Sequence, residues 1–126
     1  MRGYDLFPFE GLDPWVRAQF AMGEDPKLRP LIEVETRLVH PVAVAKKIVT
    51  LSRLYPHDFG ILLSGAGELG EFAAVLRELL SAKTPVFRES GIYPLQGIEL
   101  WPVCERRVPL FMRNSSSEIV EFPIPS

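Results

Sequence analysis

The chain of 126 residues has one cysteine, Cys104, so no intrachain disulfide can form. A protein without a disulfide framework is expected in a reducing cytoplasm. No apolar run approaches the roughly 20 residues needed to span a bilayer. The first ten residues lack both the charged leader and the apolar stretch of a signal peptide. No excess of positive charge exists either. Lys and Arg total 14 against 16 Asp and Glu, a formal net charge of -2. The basic residues are scattered, and their one dense pair, Arg106-Arg107, sits beside Glu105. Partnership with nucleic acid or anionic membrane is therefore not expected. His40, His57 and Cys104 show no metal-ligand spacing, and His57-Asp58 reads as a surface pair. The chain has no nucleophile-elbow pattern and no dinucleotide glycine fingerprint. Cys104 beside Glu105 has no obvious activating group other than Arg106, and reads as an inert thiol.

What is present is an ordinary globular composition, 47% hydrophobic and 24% charged, in a length that suits one domain. Twelve prolines punctuate it. Asp13-Pro14 reads as a helix cap followed by proline in the first turn, with Trp15, Val16, Phe20 and Met22 on one face and a stop by Gly23. Residues 30–36 predict a strand with Leu31, Glu33 and Glu35 on one side and Ile32 and Val34 on the other. A second helix opens at His40-Pro41 and ends before Pro56, burying Val42, Ala45 and Val49 with Val44, Ile48 and Leu51. Residues 59–64 form a continuous apolar run, as in a strand covered on both faces. Gly65-Ala66-Gly67 leads into a third helix over about 68–82.

This alternation implies an α/β domain with parallel strands and right-handed crossovers. Residues 85–88 and 93–100 then predict a hairpin turning at Glu89-Ser90-Gly91. A last short strand covers 110–113. Residues 114–126, with three consecutive serines, read as an irregular tail.

Three segments together resemble the luciferase-like monooxygenase superfamily. The first is Arg29 to Val34 followed by Leu38-Val39-His40-Pro41 and the helix to Lys47. The second runs from Thr50 to Tyr55 and from Phe59 to Gly67. The third passes from Leu79-Leu80 through Pro85-Val86-Phe87, Gly91-Ile92-Tyr93 and Pro109-Leu110-Phe111 to Ser115-Ser116-Ser117-Glu118. The resemblance covers about residues 13–118. It implies a partial (β/α) barrel, a flavin oxidoreductase or monooxygenase activity on a small-molecule substrate, and reduced FMN or the deazaflavin F420 as cofactor. It further implies a catalytic role for His40 and cofactor contacts from Thr36, Ser64, Gly65, Ser116 and Ser117. The chain departs from the family where Gly67 passes almost directly into a helix, and where Gly60 to Leu63 offer no polar strand residue.

The residues themselves leave alternatives open. His40 can pass a proton near neutral pH or cap the helix that Pro41 opens. Ser116 and Ser117 can cradle a phosphate at a turn or belong to a flexible tail. Gly65 and Gly67 can admit a ring or phosphate, or make a tight turn. Glu33 and Glu35 can act as acid and base, or lie on a wet face with Arg37 neutralising one of them.

A full barrel of this type has eight strands and about 250 residues. This chain supplies about four, leaving an open sheet with Val34, Leu62, Trp101 and Phe111 as plausible members of its apolar surface. A second copy or another protein is expected to cover it. Two functions follow: a flavin-dependent oxidoreductase with its site completed between chains, or a non-redox truncated relative serving as an accessory or binding subunit.

Overall fold

The computed structural model describes residues 3–65 and 67–123. In chain order it has β1 (Asp5–Phe7), α1 (Pro14–Glu24), β2 (Pro30–Glu35), α2 (Pro41–Leu54), β3 (Gly60–Ser64) and α3 (Leu69–Ser81). There follow β4 (Val86–Arg88), β5 (Leu95–Ile98), β6 (Leu110–Arg113) and β7 (Ile119–Glu121). Five strands make a curled, half-barrel sheet in the order β1-β2-β3-β6-β7. The first four are mutually parallel and β7 runs antiparallel to β6. Strands β4 and β5 form a separate antiparallel hairpin. The fold is thus the α/β partial barrel expected.

Local chemistry accounts for the helices. The Asp13 carboxylate accepts the Trp15 amide at 2.8 Å, so the first turn of α1 begins with one orphan donor satisfied. Proline follows at the first helical position of α1 and again of α2. Helix α2 buries Val44, Ala45, Ile48, Val49 and Leu51 and leaves Lys46, Lys47 and Arg53 in water. Helix α3 buries Phe72, Ala73, Val75, Leu76 and Leu79 at helical spacing.

Strand side chains sort by parity. Ile32, Val34, Ile61, Leu63 and Leu110 join the helices in the main core. Leu31, Leu62 and Phe111 make a second, smaller cluster with Tyr4 and Ile119 on the other, concave face.

Three expectations need correction. Val16 and Phe20 do not join the buried face of α1: they are 61% and 71% exposed, because Trp15, Ala18 and Met22 turn toward the sheet. Residues 114–121 are not an irregular tail. They fold back as a turn and β7, whose pairing with β6 satisfies backbone groups that would otherwise be exposed. Residues 124–126 of that tail lie outside the described residues. Finally, Val34, Leu62 and Phe111 are not an exposed apolar surface. All three are at most 4% exposed, since the helices cover Val34 and the concave-face side chains fill the space around the other two. Trp101 alone of the four stands out in water, at 90%.

Candidate functional site

Parallel strands deliver their carboxyl ends to one rim, and the loops there carry function in barrels. Register aligns Glu35 with Ser64. Continuing the β3–β6 register from Leu62 and Phe111 brings Arg113 level with Ser64. Thr36, Ser64 and Gly65 therefore lie together at this rim. Thr36 is buried, and its amide and hydroxyl both donate to the Ser64 carbonyl, at 2.9 and 3.0 Å. Gly65 has φ +118°, a left-handed conformation that suits glycine. A Cβ there would fall 2.4 Å from Glu35 Oε1 and 3.0 Å from Thr36 Oγ1. The close approach that Gly65 permits is thus taken by a neighbouring carboxylate. Ala66 of the same turn lies outside the described residues.

The two carboxylates of β2 are each paired. Glu35 accepts from Arg37 Nε at 2.7 Å, as the sequence suggested. Glu33 accepts the Phe9 amide at 2.8 Å through Oε1 and Arg113 Nη1 at 2.7 Å through Oε2. Their side chains are only 12% and 14% exposed for Glu33 and Glu35, so this is not the wet face expected. The β1–α1 loop and the end of β6 cover it. Burial pushes the Glu33 pKa up, but the Arg113 hydrogen bond, the Phe9 amide, the Ser64 hydroxyl and the Arg113 charge together outweigh it and hold the carboxyl below its ordinary value. Arg113 was not singled out in the sequence. Its signal was an arginine ending a strand, as Glu35 ends another.

His40 stands apart from this cluster. Its Nδ1 accepts the Val42 amide at 3.1 Å, the capping role, and its ring meets Tyr93 edge-on at 5.4 Å. Tyr93 in turn packs edge-on against Phe72. Burial first, then the charges of Glu71 and Glu68, raises the Tyr93 pKa. His40 lines a shallow groove of about 630 Å³ with Lys46 and Gln96, between α2 and the hairpin.

Ser116 and Ser117 sit in the β6–β7 turn. Asn114 Oδ1 accepts the amides of Ser116 and Glu118 at 2.9 and 3.0 Å, and the Asn114 carbonyl accepts the Ser117 amide at 2.9 Å. Asn114 thereby takes up three of the turn's backbone amides that a phosphate would need. Asparagine starting a turn is a recognisable signal for this, by its side-chain hydrogen bond to backbone two residues on.

Among the described residues no group of three or more His, Cys, Asp and Glu side chains could hold a metal ion, and no helix is long and apolar enough to cross a membrane. Comparison with known family models and with curated proteins returned no match.

Proposed function

We propose that this protein is a luciferase-like relative that works as a binding or accessory subunit without flavin redox chemistry. The observation that carries this reading is the state of the carboxyl-terminal rim. The two carboxylates, the Thr36 hydroxyl and the amides of Ser116, Ser117 and Glu118 at this rim already have internal partners. Glu35 fills the space beside Gly65, and Asn114 binds the amides of Ser116 and Glu118. A flavin phosphate approaching the rim would face two carboxylates and few unspent donors. The residues present do not fit the cofactor, and no redox step is assigned to them.

The oxidoreductase reading retains one supporting feature. His40 spends Nδ1 on the helix cap and lines a groove with Lys46 and Gln96. One titration decides between the two. Added FMN or F420, followed by its fluorescence, is expected to show no saturable quenching at micromolar protein. Saturable quenching that is lost in His40→Ala would overturn the binding-subunit proposal and restore the redox one.

A further inference from the structure

Two dipeptides that the rim does not use meet at the opposite, amino-terminal end of the sheet. His57-Asp58 precedes β3, and Arg106-Arg107 precedes β6. With Tyr4, Arg29, Phe59, Val108 and Pro109 they line a pocket of about 220 Å³. At about 30 Å³ per water, that space holds on the order of seven waters, enough for a phosphate group and the first atoms of an ester.

The pocket concentrates positive charge in a chain whose net charge is -2: three arginines against the single carboxylate of Asp58. Arg106 is a fixed wall. Its guanidinium donates to the carbonyls of Tyr55, Pro56 and His57, each at 3.1 Å. Arg29 is held by stacking, with its guanidinium carbon 4.3 Å from the Tyr4 ring centroid, yet its one hydrogen bond among the described residues is a long 3.5 Å contact to the Gly3 carbonyl. Arg107 is paired with Glu121, which lies outside the lining.

Among the described residues, four buried side-chain polar atoms lack a protein partner, and three of them belong to this lining: Arg29 Nε, Arg106 Nε and His57 Nδ1. His57 is itself 8% exposed. Its Nε2 lies 2.8 Å from the Asp25 carbonyl. A carbonyl only accepts, so Nε2 carries a proton and Nδ1 is the ring nitrogen left without a protein partner.

We propose that this pocket binds a protonated tetrahedral oxyanion, hydrogen phosphate. Arg29 and Arg107 supply donors to the oxyanion oxygens. Asp58 supplies an acceptor for the P–OH. Sulfate at neutral pH has no such proton, so the same carboxylate repels it. The site lies at the end of the sheet opposite the rim and does not depend on the function assigned there.

The test is a titration of the full chain with sodium phosphate, sodium sulfate and phenyl phosphate at constant ionic strength, read by backbone amide NMR shifts. Saturable shifts at residues 57–59 and 106–108 are expected with phosphate, with sulfate about tenfold weaker. Arg29→Gln and Arg107→Gln each weaken phosphate binding severalfold, while Lys47→Gln, remote from the pocket, leaves it unchanged. Asp58→Asn abolishes the preference over sulfate; this exposed position also serves if Arg29→Gln fails to fold by circular dichroism. Phenyl phosphate at pH 7 has mostly lost its second proton and is expected to bind more weakly than phosphate; tighter binding would overturn the role given to the P–OH. Equal affinity for phosphate and sulfate, shifts spread over other basic residues, or undiminished binding in both arginine variants would overturn the proposal.

Discussion

Glu33 is kept ionised by two donors converging from different parts of the chain: the Phe9 amide and the Arg113 guanidinium. Its folded pKa lies below the ordinary 4.5, so folding favours the charged form. The stabilisation is therefore fully present above pH 4.5 and is lost as pH falls through the folded value. Glu33→Gln is expected to cost about 2 kcal/mol at pH 7 and much less near pH 3, the usual range for hydrogen bonds to a charged group. Urea unfolding at the two pH values checks this, and equal losses at both would contradict it. At the same scale, Gly65→Ala is expected to cost about 1–3 kcal/mol, because the φ of +118° disfavours a side chain and Glu35 must give way. The accompanying double variant with Glu35→Ala should recover the steric part only.

Secondary structure was largely legible before any coordinates. Alternation along β2 sorted Leu31, Glu33 and Glu35 from Ile32 and Val34, and the proline-capped starts of α1 and α2 fell where Asp13 and His40 placed them. What was missed was β1, α1's buried side and β7. Val16 and Phe20 are apolar residues on an amphipathic helix, and periodicity cannot tell which of two apolar stripes a sheet will cover. Strand β7 is three residues long beside a serine run, and only its partner β6 makes it a strand. The candidate rim was legible in Thr36, Ser64 and Gly65 but not in Arg113, whose importance comes from a pairing across 80 positions of sequence. Beyond β7, Arg77 of α3 holds the chain by donating to the carbonyls of Pro123 and Phe122, at 2.6 and 2.9 Å. Arg77→Gln is expected to lower stability by about 1–2 kcal/mol. It should also speed exchange of the Phe122 amide, which donates to the Leu110 carbonyl, with amides of β2 and β3 slowed or unchanged relative to it.

The molecule as a whole fills its own concave side with Leu31, Leu62 and Phe111, and the ring of Phe111 lies against the bare backbone of Gly60, 2.7 Å from where a Cβ would stand. Phe111→Ala is expected to cost about 3–5 kcal/mol by thermal or urea unfolding, the range for emptying an aromatic from a packed interior. A loss below 1 kcal/mol would mean that this face is not packed as described. The half-barrel still ends in β1 and β7, and we infer that one of these edges meets another chain. Sedimentation at micromolar concentration should show a species larger than the 14.2 kDa monomer when the partner is a second copy.

Between β3 and its neighbour β6 the chain leaves the sheet for residues 65–109, running through α3 and the hairpin before returning. Bringing those ends together carries an ordering cost that local contacts inside β1 to β3 do not. The order of assembly should show this asymmetry. In pulsed deuterium labelling during refolding, amides of β2 and β3 in their mutual ladder should gain protection first. Those of β6 and β7 should follow together, as one late-arriving unit.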